Sequence, residues 1–93
     1  MKNEFEVTLL SQAAFLRYLG YQILKCEVNG SDHKWLFEIP KFDAEIVLEE
    51  YASDKTQIFL KAFVEAESDV RGFANNAKTG MGIWTSGRYR EMR

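Results

Sequence analysis

An α+β domain is the fold class that this 93-residue sequence predicts: a small antiparallel β-hairpin or sheet covered by about three helices, in the order α-β-β-α-α. Three observations lead there. Two alternating apolar/polar runs, YQILKCEV and HKWLFEIP, flank an Asn29-Gly30 turn signal, the strongest short-range hairpin cue. Apolar residues recur at helical spacing before and after that hairpin, and Gly20 and Gly72 stand where helices should stop. The body, residues 1–75, reads as one α+β domain, and 76–93 as a Gly-rich, basic, aromatic C-terminal tail.

Met1 to Thr8 alternates Phe5 and Val7 with Glu4 and Glu6, which suits either a short strand added to the hairpin or a lead into the first helix. From Leu9 to Leu19 the apolar spacing is helical, Thr8 or Ser11 is available as N-cap, and Gly20 supplies the left-handed stop. A four-residue loop, Asn29 to Asp32, pairs Val28 with His33, Cys26 with Trp35, Leu24 with Phe37 and Gln22 with Ile39, so that mostly apolar side chains meet on one face. A two-residue Asn29-Gly30 turn would instead set Trp35 opposite Leu24 and Cys26 opposite His33; the longer loop is preferred. The other face mixes Lys25, Glu27, Lys34 and Glu38 with Ile23 and Leu36.

Pro40 closes the second strand, since it cannot donate to a ladder. Asp43 is a good N-cap for a helix from Ala44 to about Tyr51, with Phe42 stapled on Val47 and an inner stripe of Val47, Leu48 and Tyr51. Asp54 and Gln57 have capping-box spacing for a third helix that reaches about Arg71, its stripe Phe59, Phe63, Ala66 and Val70, with Leu60 beside it. In the tail, the glycines and Asn75-Asn76 argue against a long helix, leaving either a small hairpin around Ser86-Gly87 or a segment that orders on a partner. Residues 76–93 are therefore expected to be dispensable for folding.

The helix ending in Gly20-Tyr21, the strand ILKCEV, then WLFEIP, the Leu48–Tyr51 segment and the Phe59/Phe63 helix together resemble a family of small bacterial and phage proteins known only as a domain of unknown function. The resemblance spans about residues 8 to 71. Its motifs are core positions, so it implies an α+β fold and an origin in a phage or other mobile element rather than an activity.

Composition narrows the function classes. Hydrophobic residues are 46% and charged ones 28%, ordinary for a folded domain. One cysteine excludes an internal disulfide, the charged start MKNEFEV is unlike a signal peptide, and no apolar run is long enough to span a membrane, so the expected location is cytoplasmic. Net charge is −2, but residues 1 to 70 hold 7 Lys+Arg against 13 Asp+Glu, whereas 71 to 93 hold 5 against 1. An acidic body thus carries a basic tail.

Chemistry is sparse. Cys26 and His33 are each the single residue of their type, which leaves no ligand set for a metal, and no EF-hand spacing occurs around Asp43 to Glu50. Cys26 beside His33 has the residue types of a nucleophile and base, but its alternation with Leu24 and Val28 marks a buried small hydrophobe. Glu45 with Glu49 and Glu65 with Asp69 read as solvated helix faces, and Lys78-Thr79-Gly80 lacks the frame of a phosphate loop.

The expectation is a non-enzymatic binding module without catalytic residues, metal or cofactor, acting on another protein or on a second copy of itself. Aromatic residues are 14% of the chain, and Trp and Tyr are common interface anchors, with Tyr18, Tyr21 and Trp84 the candidates. The alternative is binding of single-stranded nucleic acid or RNA through the tail, where Lys78, Arg88, Arg90 and Arg93 interleave with Phe73, Trp84 and Tyr89: cations meet phosphates and rings stack on bases. A competing structural role for Ile83 and Trp84 is to cover an exposed part of the core.

Overall fold

A computed structural model describes residues 3–53 and 57–86. The element order is β1 (Glu4–Val7), α1 (Leu10–Tyr18), β2 (Ile23–Asn29), β3 (Asp32–Glu38), α2 (Lys41–Ala52), α3 (Leu60–Thr79) and β4 (Ile83–Thr85). The strands form one antiparallel sheet in the order β1-β3-β2-β4. The α+β class and the central helix-hairpin-helix-helix order thus stand, with a strand added at each edge of the hairpin.

The hairpin takes the longer-loop register: Val28 faces His33 and Cys26 faces Trp35, with Asn29 and Asp32 as the last pair before Gly30-Ser31. A bulge at Leu24 corrects the far end. Lys25 still faces Leu36, but Phe37 faces Ile23 instead of Leu24, and the Glu38 N–H donates to the Gln22 carbonyl over 2.9 Å. The extra residue bends the strand. Ile23, expected on the mixed outer face, is buried together with Leu24.

One sheet face carries Val7, Cys26, Trp35 and Phe37, all buried, and packs under α1 and α3. Trp35 Nε1 donates to the Val70 carbonyl over 3.2 Å, tying the sheet to the middle of α3. The opposite face presents Glu6, Lys25, Glu27, Lys34 and Leu36, with Lys25 paired to Glu27 at 2.9 Å.

α1 begins without a side-chain cap: Leu9 occupies the N-cap, and its carbonyl accepts from the Ala13 N–H, so neither Thr8 nor Ser11 caps it. Its end is as expected. Gly20 has φ +99°, and the bonds Gly20 N–H to Arg17 carbonyl and Tyr21 N–H to Leu16 carbonyl form a Schellman close.

α2 starts earlier than Ala44, because Pro40, held at φ −60°, is the N-cap and its carbonyl accepts from the Ala44 N–H. Asp43 sits in the first turn, where its charge meets the positive helix end. Phe42 is 72% exposed, so there is no staple on Val47; Ala44 is the residue of this helix that is fully buried.

α3 departs most from expectation. It starts at Leu60, after Gln57, Ile58 and Phe59 pass in irregular backbone, so Gln57 closes no capping box, and Asp54 lies outside the described residues. Phe59 precedes the first turn and is 77% exposed instead of joining the inner stripe. The helix does not stop at Gly72; it runs on to Thr79 because the apolar stripe of Phe63, Ala66 and Val70 continues through Phe73, Ala74 and Ala77. Burying those three outweighs the roughly 1 kcal/mol that a mid-helix glycine costs. The boundary expected between 75 and 76 therefore falls inside α3.

After Gly80 the chain turns through Met81 (φ 65°) and Gly82 (φ 92°). The Gly82 N–H donates to the Ala77 carbonyl and the Gly82 carbonyl accepts from the Val28 N–H, both over 2.7 Å. This delivers β4 to the edge of β2, with Trp84 opposite Cys26.

Candidate functional site

Of the residues singled out in the sequence, Arg88, Tyr89, Arg90 and Arg93 lie outside the described residues, and Trp84, Lys78, Tyr18 and Tyr21 do not converge. Trp84 is half-buried and packs on Phe73, ring centroids 4.4 Å apart and tilted by 57°, so it covers the core at the end of α3. Lys78 is exposed in the last turn of that helix. Tyr18 is half-buried; its hydroxyl accepts the Phe59 N–H over 3.1 Å and its ring lies between Phe15 and Phe63. Tyr21 packs on the core, and its carbonyl accepts from Arg17 Nη1 over 3.3 Å. Tyr18 and Tyr21 are thus fastened into the fold rather than held out to solvent.

Cys26 is fully buried, and burial, aided by the Glu27 charge, pushes its thiol up to about 11. A thiol held that far above neutrality is protonated and a poor nucleophile. His33 is two ladder positions away, facing Val28; its Nδ1 lies 3.0 Å from the Ser31 carbonyl and its ring stacks over Trp35 at 5.7 Å. The two side chains therefore form no nucleophile–base pair. Among the described residues, no three His, Cys, Asp or Glu side chains gather as metal ligands, and no helix is long and apolar enough to cross a membrane.

Three surfaces stand out among the described residues. Between the end of α1 and the middle of α3 lies an open hollow of about 680 Å³, lined by Arg17, Tyr18, Glu65, Ser68 and Asp69 among others, where Arg17 bonds Asp69 at 3.4 Å. Arg17 and Asp69 thus meet each other across it. At the start of α3, Phe59, Leu60 and Val64 are 77%, 76% and 54% exposed, with Ile58 beside them. Leu60 and Val64, four apart, share one face of the helix. This apolar ridge is held in place from below by the aromatic cluster of Phe15, Tyr18, Tyr51 and Phe63, whose closest rings, Phe15 and Tyr51, stack at 4.5 Å.

The third surface is a hollow of about 250 Å³ between the hairpin and the second half of α3. Its floor is Leu10, Trp35 and Ala74, and its rim is His33, Arg71, Asn75 and Lys78. A second hollow of about 410 Å³ shares Leu10, His33 and Trp35 and adds Lys34 and Asp32. In a chain of net charge −2, the first of these hollows brings together Arg71, Lys78 and the one histidine, with no carboxylate among its described lining residues.

The ridge is hidden in the sequence as long as Phe59 and Leu60 are assigned to the inner stripe. The signal is present all the same: Leu60 and Val64 lie on a different helical row from Phe63, Ala66 and Val70, and a single row can face α1. The basic hollow is hidden by ending the helix at Gly72, which separates Arg71 from Lys78.

No family model matches this chain, and neither a curated protein nor a solved structure does.

Proposed function

We propose that this protein is a non-enzymatic binding module that works through protein–protein contacts centred on the start of α3. The observation that supports this reading most is the exposure of Phe59, Leu60 and Val64 together where the chain enters α3. Exposed single apolar residues are ordinary, but several large ones clustered on one helix end mark a surface that another protein covers. The aromatic layer beneath and the Tyr18 hydroxyl bond to the Phe59 N–H fix that end without covering it. A preorganised apolar surface loses little conformational freedom on binding.

The test is the double variant Leu60→Ser/Val64→Ser. Both side chains face solvent, so the thermal melt should move by no more than the equivalent of about 0.5 kcal/mol per site. Light scattering behind size exclusion across a concentration series reports self-association, and pull-down from the producing cell reports a partner. The proposal predicts that whichever association the parent shows is lost in the double variant while the melt is kept. An association that survives the double substitution would place the binding surface elsewhere.

A further inference from the structure

The apolar ridge and the basic hollow lie on the same side of α3. Leu60, Val64, Arg71, Asn75 and Lys78 are all exposed and succeed one another at intervals of four, seven, four and three residues. These are the spacings of a single helical stripe, and from residue 60 to residue 78 it runs about 27 Å at 1.5 Å per residue. One end is apolar and the other cationic. At the cationic end the stripe meets His33 from the hairpin above a floor of Leu10 and Trp35.

From this arrangement we propose that the partner of the α3 surface is an acidic, amphipathic peptide segment, with apolar side chains on Leu60 and Val64 and carboxylates at Arg71 and Lys78. This deepens the reading of the α3 ridge given above and rests on it. Charge complementarity selects the partner. The carboxylate within the stripe is Glu67, whose Oε1 is 3.8 Å from Arg71 Nε, a long contact between half-exposed groups that a partner carboxylate can replace. Lys78 makes no ion pair among the described residues. The mixture of two apolar anchors with two cations favours a peptide over a nucleic acid, because a polynucleotide offers no apolar side chains for Leu60 and Val64.

The experiment is selection from a random 12-residue peptide display library on the full chain, with recovered peptides measured by fluorescence anisotropy. The expected result is enrichment of peptides that combine Asp or Glu with Leu, Ile or Phe. Their affinity should fall at least tenfold with Arg71→Gln/Lys78→Gln, fall with rising salt, and rise with Glu67→Gln, which frees Arg71. Leu60→Ser/Val64→Ser separates the two readings. If it abolishes binding while Arg71→Gln/Lys78→Gln has no effect, the ridge reading stands and the acidic partner is overturned. If the reverse holds, the ridge reading fails. Enrichment of basic or uncharged peptides, or no enrichment, overturns the proposal. So does a single-stranded oligonucleotide or inorganic pyrophosphate that binds more tightly than any selected peptide and depends on Arg71 and Lys78.

Discussion

Replacing Gly82 by alanine tests how β4 is held on the sheet. Gly82 has φ +92°, where an L-residue with a Cβ is strained by about 1 to 2 kcal/mol. A Cβ there would also stand 2.9 Å from the Val28 carbonyl oxygen, a backbone atom that cannot rotate aside. Two responses are open, and both have a calculable cost. If β4 stays docked, the strain and the contact together cost about 2 to 4 kcal/mol. If β4 lifts, the Val28–Gly82 and Ser86–Leu24 bonds go with the β2–β4 ladder, about 1 kcal/mol each, and Trp84 leaves Phe73. Half-burial of a tryptophan is roughly 100 Å², or about 2.5 kcal/mol at 25 cal/mol per Å². Lifting therefore costs more than staying docked, and the expected loss is about 2 to 4 kcal/mol, a large share of the roughly 5 to 14 kcal/mol expected for a domain of this length. Urea melts of Gly82→Ala against the parent measure it, and the indole N–H resonance of Trp84 reports whether β4 has lifted. A loss below about 0.5 kcal/mol with an unmoved Trp84 signal would refute the reasoning.

Gly72→Ala should act in the opposite direction: the site is helical with open space where the methyl would go, so a gain of about 0.5 to 1 kcal/mol is expected in the same melts. Phe37→Ala removes a ring that is fully buried in the core and should cost about 3 to 5 kcal/mol, enough to leave the fold marginal by circular dichroism. Cys26 gives the chain an alkaline sensitivity. Its folded thiol holds a proton up to about 11 while the unfolded one releases it near 9.0, so the native state binds more protons between those values and stability falls as pH rises through that window. The Cys26 contribution to that fall, on the order of 3 kcal/mol, should disappear in Cys26→Ala, and the native thiol should react with thiol reagents far more slowly than in urea.

The hairpin was legible because period-two alternation and turn chemistry are local: once Asn29-Gly30 marked the reversal, matching Cys26 to Trp35 selected the register. The bulge at Leu24 was not legible. Ile23 and Leu24 are both apolar, and alternation cannot say that both will be buried. The end of α3 is misplaced when Gly72 is given the weight of a stop signal, as Gly20 has. The two glycines differ in the chain beyond them. After Gly20 the backbone must reverse into β2, whereas after Gly72 the residues Phe73, Ala74 and Ala77 have β2 and β4 to pack against, which only the assembled sheet reveals. The same error conceals the site. Arg71 and Lys78 look unrelated until one helix carries both, and Leu60 and Val64 look like core until Phe63 and Ala66 have taken the inward positions.

The most direct test of the α3 surface is site-specific photo-crosslinking in the cell that produces the protein. A photoreactive phenylalanine at Leu60, 76% exposed, is compared with one at Glu49 on the exposed side of α2. A discrete crosslinked species is expected from position 60, either a second copy or another protein, that is weakened by Arg71→Gln/Lys78→Gln and absent from position 49. Equal products from both positions, or none from position 60 while the chain is folded, would contradict a binding surface on α3.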